Sequence, residues 1–225
     1  PFDRFCDAAR RERIDIGARG FFATPVAGMD WDQGQGSPFF YYTTGAAVVE
    51  VSIDRFTGDL TLDRLDLVMD VGRMINPGVD RGQVIGGLVQ GLGWCTTEEL
   101  KYDDQGALLS TGPTTYKIPN VTDLPRTITV DFIDNPKHAV NVARSKAVGE
   151  PPLMLGIAAW AAAKHALSQA NPAHVAPLRL PATNEECLMR LVEALAAKET
   201  PLAPTNGRPR SVPGIPAPQM DAESR

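Results

Sequence analysis

A glycine-rich segment, GQVIGGLVQGLG at 82–93, restricts the fold more than any other part of the sequence. Its apolar residues predict a helix over 80–93, and this helix places three glycines near one face: Gly82, Gly86 and Gly93. A face of such small residues allows a second backbone or a bulky ligand to come close. We therefore expect a tightly packed helix, and packing against another part of the chain explains the pattern as well as a ligand does.

Two glutamines, Gln83 and Gln90, lie on another face of this predicted helix. In so apolar a helix we expect their amides to be buried, where an unpaired amide destabilises the fold by about 1–3 kcal/mol. The polar edge of a cofactor such as a pterin would pair with them, and so would the backbone of a neighbouring loop. A dinucleotide-binding loop is disfavoured, because no buried strand leads into a GxGxxG turn and no acidic residue closes a βαβ unit.

The segment SKAVGEPP at 145–152 places Glu150 directly before an alanine-rich apolar stretch that is typical of a helix. An acidic residue at a helix N-terminus is most often a cap, or a charge that complements the helix dipole by about 0.3–1 kcal/mol. Gly149 and Pro151 favour a second interpretation, because a fixed backbone beside the carboxylate suits a catalytic base. The residues alone leave both interpretations open.

Charge and cysteine content exclude several classes of protein. The net charge is -5 and no basic stripe is present, so nucleic acid is not an expected partner. The three scattered cysteines, Cys6, Cys95 and Cys187, predict reduced thiols in a cytoplasmic protein and no zinc site. No apolar run reaches the roughly 18 residues that span a bilayer. Because the chain begins at Pro1 without a methionine, we expect it to be part of something longer.

Periodicity predicts an α+β fold in which helices pack on an antiparallel sheet. Besides the glycine-rich helix, the predicted elements are a helix at 2–16, a loop at 21–38, two strands within 39–67 joined at Thr57–Asp59, a strand pair at 99–110, a strand at 127–133, and helices at 151–170 and 184–198. Thr183 or Asn184 is the expected cap of the last helix. The proline-rich segment 200–225 has too few apolar residues to fold and predicts a disordered tail.

Three blocks of the sequence together carry a family resemblance. They are MDVGRMINPGVDRGQVIGGLVQGLGWCTTEEL at 69–100, GPTTYKIPN at 112–120 and SKAVGEPPLMLGIAAWAAAKHAL at 145–167. In this order and at these separations they resemble the C-terminal molybdenum-domain segment of the xanthine dehydrogenase and aldehyde oxidase family. The resemblance covers about residues 20–198, and agreement over several blocks is more specific than any one motif.

The resemblance implies a role for two residues and a place for the chain in a larger enzyme. Residues 1–199 would form the C-terminal part of a molybdenum-cofactor-binding domain. Glu150 would be the general base that activates a molybdenum-bound hydroxide, and Gln83 would contact molybdopterin. The implied reaction inserts oxygen from water into xanthine or hypoxanthine. The KAVGEPP form of the last block favours a purine over an aldehyde, whose oxidases resemble KGxGExG there.

The resemblance also implies partners. Iron–sulfur clusters and FAD would lie on a partner domain or subunit, and the upstream part of the molybdenum domain would supply the rest of the pocket. We therefore expect a hetero-oligomer, and a chain that is inactive alone. Two other interpretations stay open: a molybdenum hydroxylase that acts on aldehydes or other N-heterocycles, and a non-catalytic structural module of a larger complex.

Overall fold

The computed structural model describes residues 1–23, 28–135, 137–138, 140–174 and 177–199. In chain order the elements are helix α1 (Phe2–Arg11), strands β1 (Met29–Asp30), β2 (Gln35–Gly36), β3 (Gly45–Ile53) and β4 (Leu60–Met69), helix α2 (Pro77–Thr96), strand β5 (Thr127–Phe132), a 3-10 helix (Val142–Arg144), and helices α3 (Pro151–Leu155), α4 (Ile157–Ala170) and α5 (Asn184–Glu199). The α+β prediction is confirmed. The segment predicted as a disordered tail, 200–225, lies outside the described residues.

Strands β3, β4 and β5 form the main sheet in that order. The predicted hairpin is confirmed: β3 and β4 are antiparallel, and Asp54 Oδ1 accepts hydrogen bonds from the amides of Phe56 and Thr57 in the turn. Strand β5 pairs with β4 in parallel, so the sheet contains the predicted antiparallel pair and one parallel neighbour. Two parallel strands need a long connection between them, and here the connection from β4 to β5 contains α2. The alternation of apolar residues in β5 does not indicate which strand it pairs with, or in which direction.

The core lies between this sheet and the helices. Strand β4 contributes alternate residues, since Leu65, Leu67 and Met69 are all buried, as expected when one face of a strand is covered. Helix α2 contributes Val84, Leu88 and Leu92, which are spaced by four residues. Together with Val71 and residues of β4, β5 and α4 they form the main apolar cluster: Leu62, Leu65, Leu67, Met69, Val71, Val84, Leu88, Leu92, Val130 and Ala159. The same helix that supplies this core therefore also carries the glycine-rich pattern.

Two predicted elements differ from the structure near the N-terminus. Helix α1 ends at Arg11 instead of continuing towards Gly17, because Arg13 adopts a positive φ of 56° that no α-helix accommodates. The predicted loop at 21–38 contains the short β1–β2 hairpin, while residues 24–27 of it lie outside the described part of the chain.

The predicted strand pair at 99–110 is also wrong. Only one isolated bridge forms there, between Tyr102 and Leu108. Asp103 Oδ1 accepts hydrogen bonds from the amides of Gln105 and Ala107, and these bonds close a tight loop instead of extending the strands.

The two C-terminal helices are confirmed with one change. The predicted helix at 151–170 is divided at Gly156 into α3 and α4. Helix α5 begins as predicted, and Thr183 acts as its cap because its Oγ1 accepts a hydrogen bond from the Glu186 amide. No helix in the described part of the chain combines the length and apolarity needed to cross a bilayer.

Candidate functional site

The start of α2 is determined by its own residues. Asn76 is the N-cap, and its Oδ1 accepts hydrogen bonds from the amides of Gly78 and Val79 at 3.2 and 3.3 Å. Asp80 reaches back from the first turn, and its Oδ2 accepts from the amides of Ile75 and Asn76. These bonds satisfy amides that the helix leaves without partners, so the helix begins at a defined residue.

Two glycines of α2 bring a second backbone into contact with the helix. A Cβ added at Gly87 would collide with the carbonyl oxygen of Gly149, and one added at Gly91 would collide with that of Leu153. Gly156 packs against the same turn of α2, and a Cβ added there would be 2.5 Å from the carbonyl carbon of Gly91. The absence of side chains at these positions therefore sets the segment around Glu150 and α3 directly against α2.

The three glycines predicted to share a face, Gly82, Gly86 and Gly93, have different surroundings in the structure. Gly93 packs against Pro119, where a Cβ would be 2.6 Å from Cδ of the proline ring. Gly82 and Gly86 have no atom within 4 Å of an added Cβ and face open space. They form the floor of a groove of about 420 Å³, a size that suits a small ligand, and its lining is Gly82, Gln83, Gly86, Gly87, Gln90, Gly149 and Glu150.

Gln83 and Glu150, the two residues predicted to form a site, therefore meet in one groove. The Gln83 Oε1 atom would be 3.1 Å from a Cβ on Gly149, the residue before Glu150. The expected burial of Gln83 and Gln90 is wrong, because both are exposed along the groove. Their amides are therefore accessible to a ligand in the groove.

The capping interpretation of Glu150 does not describe the structure. Glu150 occupies the N-cap position of α3, but its side chain accepts no capping hydrogen bond. The first turn of α3 is instead built on Pro151 and Pro152, and Pro151 needs no capping partner because it has no N–H. Glu150 is exposed, and its carboxylate is accessible from the groove.

Sequence reasoning missed the residues that support this segment. Asp70 follows β4, and its Oδ2 accepts hydrogen bonds from Lys146 Nζ at 2.6 Å and Asn135 Nδ2 at 2.8 Å. Its Oδ1 accepts from the Gly72 amide at 2.8 Å. Burial of Asp70 opposes its charge, but the bonds from Lys146, Asn135 and Gly72 outweigh burial and lower the pKa of this carboxyl. The only signal in the sequence was that Asp70 and Lys146 lie in two of the three resembling blocks.

A larger cavity, of about 510 Å³, lies near the start of β4 and the N-terminus of α5. Its lining includes Lys117 and Asp123, which form an ion pair with each other. Lys117 and Asp123 pair with each other, whereas no described residue pairs with Gln83 or Glu150, so the smaller groove is the better candidate for a functional site.

Comparison with known proteins identifies the family of this chain. The family of the molybdopterin cofactor-binding domain matches residues 1–125. The chain belongs to this family, as the resemblance predicted, and to the molybdenum-binding part of the xanthine dehydrogenase and aldehyde oxidase family. The matched range includes Gln83 and ends before Glu150.

Individual relatives agree with this assignment. The chain is 45% identical over 198 residues to a xanthine dehydrogenase of Oryza sativa subsp. japonica, a match that covers 83% of this chain and 14% of that protein. It is 42% identical over 189 residues to aldehyde oxidase 1 of Cavia porcellus, covering 82% of this chain and 14% of the relative. The chain therefore spans about one seventh of the length of these relatives.

Solved structures resemble the fold. Quinoline 2-oxidoreductase from Pseudomonas putida 86 matches with a TM-score of 0.56 and 30% identity, over 64% of this chain and 18% of that one. The aldehyde oxidoreductase from Desulfovibrio desulfuricans matches with a TM-score of 0.59 and 28% identity, over 73% of this chain and 17% of that one. Relatives that act on different substrates thus share this segment.

Proposed function

We propose that this chain is part of a molybdenum hydroxylase in which Gln83 helps to hold the cofactor and Glu150 is the general base. One observation carries the proposal: two residues from separate sequence blocks line one groove, and among the described residues neither side chain has a hydrogen-bond partner. An exposed amide and an exposed carboxylate that line the same groove are both accessible to one bound molecule, which supports a ligand site there.

The residues of the groove fit molybdopterin. The cofactor, when bound, supplies the redox chemistry and activates water as the oxygen donor. The Gln83 amide can both donate and accept hydrogen bonds, as a pterin edge requires. Gly82 and Gly86 leave the surface of α2 open, so a flat ring system can approach the helix without meeting a side chain.

Glu150 is suited to accept the proton that the water gives up. An ionised carboxylate is an acceptor with two oxygens, and neither is engaged in a cap or an ion pair within the described residues. Its backbone is held on one side by the contact of Gly149 with Gly87 and on the other by the fixed φ of Pro151. A base held in this way contributes about 10²–10⁴-fold to a rate.

We infer that the substrate is xanthine or hypoxanthine. The KAVGEPP form of the Glu150 block and the similarity to the rice xanthine dehydrogenase support a purine. An aldehyde or another N-heterocycle is the alternative, and the nearly equal similarity to aldehyde oxidase 1 and the likeness to quinoline 2-oxidoreductase favour it.

We infer that further domains or subunits complete the enzyme. The relatives are about six times as long as this chain, and the groove is open on the chain itself, which supports an upstream part of the molybdenum domain as its other wall. We expect iron–sulfur clusters and FAD on that partner domain or subunit, and a cytoplasmic hetero-oligomer. The openness of the groove also favours the alternative that the chain alone is an inert structural module, with neither molybdenum nor turnover.

The substitution Glu150→Gln tests the proposal. In the complete enzyme we expect it to lower kcat by about 10²–10⁴-fold with unchanged molybdenum content, because glutamine keeps the size of the side chain but cannot accept the proton. Turnover is measured with xanthine, with an aldehyde and with quinoline, and the substrate of highest kcat/KM decides between the alternatives.

Glu185→Gln is the matched control. Glu185 is an exposed carboxylate in the first turn of α5, remote from the groove, and its substitution should leave turnover unchanged. Near-normal turnover of the Glu150 variant would remove Glu150 from the mechanism. Molybdenum and activity in the chain by itself would contradict the requirement for the missing part.

A further inference from the structure

A buried ion pair lies directly behind the segment that carries Glu150. Lys146 Nζ and Asp70 Oδ2 are 2.6 Å apart, and their side chains are only 8% and 10% exposed. Lys146 Nζ also donates a hydrogen bond to the carbonyl oxygen of Tyr42 at 2.8 Å. With three partners converging on Asp70 and two on Lys146, neither side chain can turn to solvent without breaking several bonds.

The backbone of the same segment is tied to the end of β4. The Lys146 amide donates to the carbonyl of Val71 at 2.9 Å, and Ser145 forms an isolated antiparallel bridge with Gly72. The next amide, that of Ala147, donates to the Tyr41 hydroxyl at 3.1 Å. These bonds align the chain just before Glu150 with a strand end that is part of the buried core.

The far end of the segment is held by α2, through the contact of Gly149 with Gly87 described above. Only Val148 separates the two attachments, and Glu150 directly follows the second one at Gly149, so the position of Glu150 depends on both. Loss of the ion pair would release the N-terminal attachment and leave the glycine contact. The segment could then shift along the groove while α2 and the sheet remain folded.

We propose that Asp70 and Lys146 are positioning residues, which keep the segment 145–150 in place so that the Glu150 carboxylate stays in the groove beside Gln83. Neither residue lines the groove, so they act through the backbone and not on a bound molecule. The catalytic part of this inference rests on the proposed function, since it requires Glu150 to be the base. A displacement of about 1 Å in a reacting group lowers a rate by about 100-fold.

The test compares three variants of the complete enzyme. Lys146→Met removes the charge and keeps the length of the side chain, while Lys146→Arg keeps the charge and the ion pair. Asp66→Asn is the matched control, because Asp66 forms an exposed ion pair with Arg64, at 2.7 Å, within strand β4. Amide hydrogen exchange of 145–150 and of α5, the molybdenum content, kcat and KM are measured for each.

For Lys146→Met we expect exchange in 145–150 to rise on the order of 10-fold while exchange in α5 stays unchanged. We expect kcat to fall by about 100-fold at similar KM and molybdenum content. In both hydrogen exchange and kcat, Lys146→Arg should lie closer to the unsubstituted enzyme than Lys146→Met does. Asp66→Asn should match the unsubstituted enzyme. Unchanged exchange in 145–150 would overturn the inference, and so would faster exchange in α5 to the same degree, which indicates a general loss of stability.

Glu150→Gln separates this inference from the proposed function. It should lower kcat without raising exchange in 145–150, because it leaves the attachments intact. If Glu150→Gln loses turnover and Lys146→Met does not, the positioning role alone is overturned. If Glu150→Gln keeps normal turnover, the proposed function fails, and the catalytic consequence of the ion pair fails with it.

Discussion

At the scale of single residues, the charged side chains of this chain divide into paired and unpaired groups. Glu186 is almost fully buried and accepts hydrogen bonds from both the backbone and the guanidinium of Arg179. Asp70 is held in the same manner by Lys146. Such pairs complete the fold, because a buried charge needs partners to offset its lost hydration. Glu150 lacks a partner within the described residues, as its proposed role as a base requires.

The buried thiol of Cys187 provides a prediction at this scale. Burial, and after it the negative charge of Glu186, raises the pKa of Cys187 to about 11, and the side chain is fully inaccessible. At pH 8 about one thiol in a thousand would be the reactive thiolate. We expect iodoacetamide at pH 8 to leave Cys187 unmodified in the native protein and to label it after unfolding in guanidinium, as measured by mass spectrometry. Equal labelling in both states would contradict the described packing of α5.

At the scale of elements, α2 uses its glycines in two ways on neighbouring faces. Gly87 and Gly91, four residues apart, admit the backbone of the Glu150 segment and α3. Gly82 and Gly86, also four apart, leave the floor of the groove open. One helix thus joins the core, the support of Glu150 and the candidate cofactor site, because residues four apart lie on one face of a helix.

Alanine substitutions distinguish the two faces. Gly87→Ala places a Cβ against the carbonyl of Gly149 and should lower the free energy of unfolding by about 1–3 kcal/mol or more. Gly86→Ala meets no atom and should raise that free energy by up to about 1 kcal/mol, since alanine favours a helix over glycine. Denaturant unfolding measures both. In the complete enzyme Gly86→Ala should also lower molybdenum content, and a stabilised variant with full molybdenum would contradict the assignment of the groove.

At the scale of the whole molecule, the ion pair of Asp70 and Lys146 connects the end of β4 with the Glu150 segment, far along the chain. Its hydrogen bonds lower the pKa of Asp70 below the value in an unfolded chain, about 3.9. A carboxyl with a lowered folded pKa stabilises the fold above its unfolded pKa, and this stability is lost as pH falls through the folded value. Acid should therefore release the Glu150 segment only below about pH 4.

The substitution Asp70→Asn tests this dependence. It leaves Lys146 buried without an anion, so the free energy of unfolding should fall by about 3–5 kcal/mol at pH 7. The difference from the unsubstituted protein should shrink as pH falls below about 4, because Asp70 then becomes neutral as well. Urea unfolding between pH 2 and 7 measures it, with Asp104→Asn in the exposed turn as control. A difference that is constant across this range would show that the charge of Asp70 is not the cause.

Features set by near neighbours were predictable from the sequence. Helix α2 with its apolar spacing, the β3–β4 hairpin and the Thr183 cap of α5 each depend on residues within about four positions of one another or on one turn. The family blocks added Gln83 and Glu150, whose side chains carry no such local signal. The packing face of the glycines and the burial of Gln83 and Gln90 were predicted wrongly, because the sequence of a helix does not reveal which of its faces meets a neighbour.

The tertiary structure decided everything that joins distant parts of the chain. Four features depend on how distant segments pack together. They are the parallel pairing of β5, the contact of Gly87 and Gly91 with the Glu150 segment, the exposure of Gln83 and the pairing of Asp70 with Lys146. Local spacing determines an element, since its energies come from adjacent turns. The neighbours of that element are chosen by burial of the whole core, which no single segment contains.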